Sequence, residues 1–408
     1  MADSKMSAKI ILMEIIEINQ KENTAETETK NDSLPSATNG GKGKKPERFA
    51  KLRQYFREHK KMKWLAIVLL IVIIVLAVWL GFFRKNNDST ADKANPPAVD
   101  KSGEAAKQAT VASPLTGLQI SEDAAKQPVV GIMIENHYPD ARPQSGLSAA
   151  GAVYEAFAEG GITRFLAIFQ EPLPDSIGPV RSLRPYFLRW GLEYNIPVAH
   201  AGGSQPALAD IGTLGMKNIE ALAYGSSYFF RASDRPSPHN LYTNNSKLTA
   251  LVSKLGFDKA PTFTPLTRKE DTTPVTAANP DIKITYGNAS YNVEWKYDAS
   301  NNNYGRSQGG AVQKDRNNST QLTAKNVVVM YTPTSYGTQP DGKPETNINL
   351  IGTGKAVVFI DGGAIAATWS KASNSAQTKF IDSAGAEIKF NAGNTWYEVI
   401  PVGNAVTY

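Results

Sequence analysis

The sequence predicts three parts in series: a single N-terminal transmembrane helix, an α/β domain and a mostly β domain. Three observations carry that reading. Trp64 to Phe83 is an uncharged apolar run of the length that crosses a bilayer, since about twenty residues rising ~1.5 Å each cover ~30 Å. Between residues 114 and 257, apolar runs of strand length alternate with stretches of helix length, the pattern of a buried sheet flanked by helices. From residue 282 to 408, short β-branched or aromatic segments are separated by Asn, Asp and Gly, as in consecutive paired strands.

The flanks orient the span. Ten Lys and Arg lie between Lys42 and Lys63 against Glu47 and Glu58 alone, whereas Arg84 and Lys85 are soon followed by Asp88, Asp92, Asp100 and Glu104. The positive-inside rule places residues 1–63 in the cytoplasm as a largely disordered basic tail, and residues 84–408 outside. The apolar run is full length and continues into Gly81-Phe82-Phe83-Arg84-Lys85, so it reads as an uncleaved anchor and not as a signal peptide. Residues 84–113 read as a flexible tether rich in Ala, Lys, Asp, Asn and Pro. The whole chain carries a formal charge of +6 and the block before the span, ten bases against two acids, carries +8. The basic balance therefore belongs to contact with anionic headgroups, and nucleic acid is not expected as a partner. The absence of cysteine excludes disulfides, thiolate metal sites, a Cys nucleophile and lipid attachment through Cys.

In the α/β part, Val129 to Ile134 is a strand, Leu147 to Ala158 is expected to be helical, and Ile162 to Phe169 is a second strand. Leu183 to Tyr194, Gln205 to Leu214 and Asn245 to Leu255 are expected helices, with Ile196 to His200 a strand between the first two. Residues 258–281 form a polar, Pro/Thr-rich linker. The β part offers strands at Ile282–Tyr286, Tyr291–Tyr297, Asn326–Tyr331, Ala356–Ile360, Ala364–Trp369, Lys379–Ile381, Glu387–Phe390 and Thr395–Ile400, with hairpin turns at Asp361-Gly362-Gly363 and Asp382-Ser383-Ala384-Gly385.

The chemistry concentrates between Val129 and Leu241. That window holds seven Arg but one Lys, Lys217, although Lys is plentiful elsewhere. Arg142, Arg164, Arg181, Arg184, Arg231 and Arg235 stand beside Gly or Pro in loops, and a guanidinium is a rigid fork suited to carboxylate or phosphate. They serve either a shared anionic ligand or structural carboxylates. His137, His200 and His239 fall in the same window, the first two at strand ends, where sites collect in α/β sheets. Glu135, Asn136, Ser182, Ser204 and Asn240 are polar candidates in the same loops. His200 with Ser204 or Ser182 would make a base and nucleophile, and three His would suit zinc. No HExxH, GxSxG or glycine-rich phosphate loop accompanies them, so neither a metal nor a cofactor is expected. Glu155 and Glu159, in the stretch expected to be helical, would lie one turn apart as an acid–base pair or as partners of Arg164.

Several strings closely resemble the YerB-like bacterial envelope proteins, a family defined by a two-part domain of unknown function. They are ENHYPDARPQSGL (135–147), VYEAFAEGGITRFLAIFQ (153–170), IGPVRSLRPYF (177–187), HAGGSQPAL (200–208) and PHNLYT (238–243) for its N-terminal part. WKYDASNNNYGRSQGG (295–310), KNVVVMY (325–331) and FNAGNTWYEVIP (390–401) resemble its C-terminal part. The resemblance implies a bacterial, membrane-attached, extracytoplasmic protein with no established activity. Members are often lipoproteins, and this chain has an apolar span in place of the lipid-bearing Cys.

Two functions from different classes follow. One is a binding or scaffolding protein that holds an anionic wall polymer, a lipid-linked precursor or an envelope protein partner. The other is an envelope enzyme, a hydrolase or phosphoryl transferase, whose plan of basic tail, span and outer α/β domain is loosely similar to that of the LytR-CpsA-Psr ligases by architecture alone.

Overall fold

The computed structural model describes residues 109–170, 172–272, 277–278, 281–339 and 341–408. The expected span Trp64–Phe83, the basic tail and all of the tether before residue 109 lie outside the described residues. No helix among the described residues is long and apolar enough to cross a membrane.

The N-terminal segment supplies strands β1 (Val129–Glu135), β2 (Ala152–Phe157), β3 (Thr163–Gln170), β4 (Val198–His200) and β5 (Asn218–Glu220), with helices α1 (Pro185–Glu193), α2 (Gln205–Leu214) and α3 (Asn245–Lys254). The C-terminal segment supplies β6 (Asp281–Ile284), β7 (Val293–Asp298), β8 (Asn303–Gln308), β9 (Asn326–Thr332), β10 (Gly352–Ile360), β11 (Gly363–Lys371), β12 (Lys379–Asp382) and β13 (Thr395–Pro401). Ten of these form one sheet in the order β12-β11-β10-β9-β13-β2-β3-β1-β4-β5. The seam between segments is the parallel pair β13 and β2, in register from Thr395 opposite Ala152 to Val399 opposite Ala156. An α/β domain and a mostly β domain were expected in series, and strands of both lie in one shared sheet.

The alternation along the central strands shows how the two faces are covered. Val153, Phe157, Phe165, Val327, Val329 and Trp396 pack with Ile282, Val293, Trp295 and Tyr304, which come from a smaller six-stranded sheet built on β6, β7 and β8. The intervening residues Tyr154, Leu166, Tyr397 and Val399 pack with Tyr186, Phe187 and Trp190 of α1. Tyr154 stacks on Tyr397 with centroids 4.2 Å apart, and on Trp190 at 4.6 Å, geometry that adds to the area these rings bury. The connection 258–281 also belongs to the fold: Phe263 and Leu266 pack on the α1 face, and Arg268–Lys269 pairs with Phe390–Asn391.

The stretch Leu147–Ala158, expected to be helical, is instead a short 3-10 turn (Leu147–Ala149) followed by β2. Every residue of β2 is buried, and a strand covered on both faces loses the alternation that distinguishes it from a buried helix. Its two Ala and its Glu are good helix formers, but propensity is overridden by tertiary context, and pairing with both β13 and β3 decides the outcome. The Asp361-Gly362 hairpin forms as expected, with both turn residues at positive φ, 54° and 69°, as a two-residue loop between twisted strands requires.

Between the sheets lies a buried ionic network. Glu155 of β2 and Glu398 of β13 stand directly opposite one another, and both side chains face Arg306 of β8. All three are fully buried. Arg306 pairs with Glu155, lies 3.5 Å from Glu398, and bonds the Gln313 side-chain oxygen. Its guanidinium sits 4.7 Å from the centroid of Trp396 and 5.4 Å from that of Trp295. Tyr286 Oη and Trp295 Nε1 donate to Glu398 at 2.7 and 2.9 Å. Thr163 and Gln308 donate to Glu155 at 2.5 and 2.8 Å. Two carboxylates share one cation, so burial, reinforced by the charge of Glu155, pushes the Glu398 carboxyl up to about 8.

A proton bound to Glu398 in the native state is released by the unfolded chain near the ordinary value of 4.5. This site's contribution to stability is therefore fully present below pH 4.5, falls as pH rises from 4.5 to about 8, and levels off above. Urea unfolding across that window should show the decline in the wild type and its reduction in Glu398→Gln; identical pH profiles would refute the assignment. Arg306→Met, which strands two buried acids, should cost on the order of 3–5 kcal/mol by the same measurement.

Candidate functional site

The loop that leaves β1, residues 136–146, is the centre of the predicted site, and three other segments hold it in place. Glu135 closes β1 opposite Arg164 of β3. The segment 177–183 runs beside it, with Arg181 N–H donating to the Met133 carbonyl and Glu135 N–H to the Pro179 carbonyl, at 2.9 and 2.8 Å. Gly178 adopts φ 151° here, and a Cβ on it would meet Tyr242 Cδ1 at 2.7 Å. The segment 231–240 is closed by Asn240, whose Nδ2 donates to the Ala232 and Arg235 carbonyls at 3.1 Å each. Arg235 ties this segment to the first loop by donating to the carbonyls of Ala141 and Pro143 at 2.7 and 2.6 Å. The C-terminal segment completes the frame: Tyr138 N–H donates to Tyr291 Oη at 3.1 Å and Arg142 Nη1 to the Ser290 carbonyl at 2.8 Å.

These ties bring His137 and His239 together. Their rings stack with centroids 4.7 Å apart at 25°. His137 Nδ1 lies 3.2 Å and His239 Nε2 3.9 Å from Asp140 Oδ2. The other ring nitrogen of His239 lies 3.0 Å from Glu135 Oε2, and Glu135 Oε1 lies 2.9 Å from Arg181 Nε. These contacts are close enough for ion pairs, yet Glu135 Oε2, His137 Nδ1, His239 Nδ1 and Arg181 Nε are buried atoms without an aligned hydrogen bond.

The predicted arginines divide by partner. Arg184 grips Glu159 with two nitrogens; burial opposes ionisation of Glu159, but the hydrogen bonds and charge of Arg184 outweigh it and hold the carboxyl below its ordinary value. Arg181 faces Glu135. Arg142, Arg164, Arg231 and Arg235 have no carboxylate at salt-bridge distance among the described residues. Arg142 Nε donates to Asn136 Oδ1 at 2.9 Å and its guanidinium lies 4.8 Å from the Tyr291 ring centroid. Arg164 donates to the Ser182 carbonyl at 2.8 Å, and Arg231 to Asn240 Oδ1 at 2.7 Å. Burial draws Arg142 and Arg164 down to about 10, so both keep their charge at neutral pH.

Other candidates are placed elsewhere. His200 is fully buried, with its ring nitrogens 2.9 Å from the Gly202 carbonyl and 2.7 Å from Asn218 Oδ1. Ser204 caps α2, its hydroxyl accepting from Ala207 N–H at 3.4 Å, and among the described residues no hydrogen bond joins it to His200. Glu155 and Glu159 are not one helical turn apart: Glu155 points between the sheets and Glu159 follows β2 in the turn to β3. Asn136 joins the site to the buried network, donating to Gln308, Thr163 and Glu155 at 3.0, 2.7 and 3.2 Å. Asp140, Arg306, Gln308 and Glu398 were missed by the sequence reading. Asp140 could have been found three residues after His137 in the same turn, whereas the others are joined to the site only by strand pairing. A separate open groove of about 600 Å³ lies against Arg189 of α1, Asp210 of α2 and Asn347 to Leu350, and holds none of the predicted site residues.

Residues 115–258 match the N-terminal domain of the protein of unknown function DUF3048, and residues 282–397 match its C-terminal domain. The chain is 31% identical over 291 residues to the "Putative lipoprotein YerB" of Bacillus subtilis (strain 168), which spans 71% of this chain and 86% of that protein. The crystal structure of YerB from Bacillus subtilis superposes with a TM-score of 0.65 at 30% identity, covering 73% of this chain and all of that one.

The capping role of Ser204 predicts that Ser204→Ala lowers stability by about 1 kcal/mol, read by thermal denaturation. A fluorophosphonate probe should leave Ser204 unlabelled in the folded wild type; labelling there would show that its hydroxyl is an activated nucleophile.

Proposed function

The chain belongs to the DUF3048 family of YerB-like bacterial proteins, and from that premise we propose that it is a membrane-attached envelope protein that binds an anionic ligand on the loop face around Arg231, Arg235 and Arg142. The observation that carries this reading is the set of four guanidiniums, Arg142, Arg164, Arg231 and Arg235, whose hydrogen bonds go to carbonyl or amide oxygens. A carbonyl satisfies the N–H donors without cancelling the charge. Carboxylates farther off offset part of that charge, Glu155 for Arg142, Glu159 for Arg164 and Asp234 for Arg235, and what remains is screened least where the groups are buried. Arg231 is exposed and Arg235 half-buried, so these two meet a ligand first, and Arg235 is tied to the loop that carries Arg142.

Placement in the envelope is supported by the lipoprotein description of the Bacillus subtilis relative and by the apolar run Trp64–Phe83 with its basic flank. On this reading the N-terminal tail is cytoplasmic, touching anionic headgroups, and the folded part lies outside. The ligand class is an anionic wall polymer, a lipid-linked precursor or the acidic surface of an envelope protein. The alternative, a hydrolase or phosphoryl transferase, gains no support at Ser204, whose hydroxyl is engaged as a helix cap.

Poly(glycerol phosphate) fragments titrated into the full chain in detergent should bind, with affinity falling steeply as salt rises from about 50 to 200 mM. Arg231→Glu and Arg235→Glu should each weaken binding about tenfold or more, and Arg231→Glu should lower the melting temperature only slightly, because that exposed side chain loses one hydrogen bond, to Asn240. Binding that ignores both the charge reversals and the salt would sink this reading.

A further inference from the structure

We propose that His137, Asp140 and His239 bind a divalent transition-metal ion of the zinc class, with Glu135 orienting His239 from behind. One ligand atom from each of the three residues lies within 4.8 Å of the others. Ligands bonded at about 2.0–2.1 Å around a tetrahedral ion stand about 3.3 Å apart, and His137 Nδ1 is already 3.2 Å and His239 Nε2 3.9 Å from Asp140 Oδ2. The two rings stack within 25° of parallel, and an imidazole holds an ion in its own ring plane, so His137 and Asp140, both partly exposed, turn out of the stack to close on the ion.

The second observation is the state of the nitrogens themselves. His137 Nδ1 and His239 Nδ1 are buried atoms without an aligned hydrogen-bond partner, although carboxylate oxygens lie 3.2 and 3.0 Å away. Buried polar atoms are ordinarily satisfied. For His137, an ion placed between Nδ1 and Asp140 would receive the lone pair that the carboxylate does not. For His239, metal on Nε2 would put the proton on Nδ1 facing Glu135, the carboxylate–histidine arrangement that fixes tautomer and ring orientation around metals. Arg181, 2.9 Å from Glu135 Oε1, holds that carboxylate in place. Two His and one Asp leave a fourth position open, suited to water or to an oxygen of an anionic ligand. The three ligands come from two loops that Arg235 ties together, so they are held near one another before an ion binds. It stands on these distances and not on the polyanion reading.

Untagged full chain, stripped with chelator and titrated with Zn²⁺ alone, should bind close to one equivalent, and zinc should raise its melting temperature. Asp140→Asn and His239→Ala should each weaken zinc binding at least tenfold and abolish the zinc-induced shift in melting temperature. Glu135→Gln should weaken binding between about ten- and a hundredfold while leaving the three ligands in place, and His59→Ala should bind as the wild type does. Absence of zinc binding by the wild type, or unchanged affinity in both Asp140→Asn and His239→Ala, would overturn the assignment. The measurement contains no polyanion, so its failure leaves the polymer result standing, and the reverse also holds.

Discussion

The structure depends on one cation placed between two acids. Arg306 enters from the small sheet and meets Glu155 and Glu398, which stand side by side where the two segments join. Burying three ionisable groups is expensive, and it is tolerated only where each is paired and hydrogen-bonded. Here Tyr286, Trp295, Thr163, Gln308 and Gln313 supply those bonds. An arrangement so costly to break specifies one register for β2 against β13 and one placement of the small sheet over both. A slip of one residue would turn Glu155 to the opposite face, among the rings of α1.

The same network reaches the surface through Asn136. Its amide donates inward to Gln308, Thr163 and Glu155, and its carbonyl oxygen accepts from Arg142 and Gln144. The loop that carries His137 and Asp140 is thus anchored in the core at its first residue and held at its far end by Arg235. A loop fixed at both ends can present side chains in a defined geometry at little further entropic cost. This gives the abundance of Arg over Lys in the window a structural meaning as well as an electrostatic one. A guanidinium can bond two carbonyls of a loop at once, as Arg235 does, and still carry its charge.

The loop face accordingly combines two kinds of chemistry. Guanidiniums held by carbonyls make it positive, and a neighbouring His/Asp/Glu group offers lone pairs that are otherwise unused. An anionic oxygen approaching this face would meet both. In the open groove beside α1, by contrast, Arg189 is already matched by Asp210 at 3.2 Å.

Composition and period alone determined the order and type of most elements. The apolar runs at Val129 and Asn326, the helices at Pro185, Gln205 and Asn245, and the Asp361-Gly362 hairpin were legible because each reports its own burial pattern or turn geometry. Leu147–Ala158 failed where burial on both faces erased the period, the short strands Asn218–Glu220 and Asn303–Gln308 were not anticipated, and the expected strand Glu387–Phe390 is reduced to a bridge at Glu387 and the pair Phe390–Asn391. The richness in Arg and His between Val129 and Leu241 was equally visible, but what those residues meet was not. Which of them touch is settled by pairing between strands far apart in the chain and by loops tied to one another's carbonyls, and spacing along a sequence carries no record of either. His137 follows a strand and His200 ends one, yet only the first meets His239, because Arg235 draws the 231–240 segment onto the loop after β1 while His200 is sealed against Asn218. Arg306 and Glu398 had no local signature at all, and only the register between the two segments makes them partners.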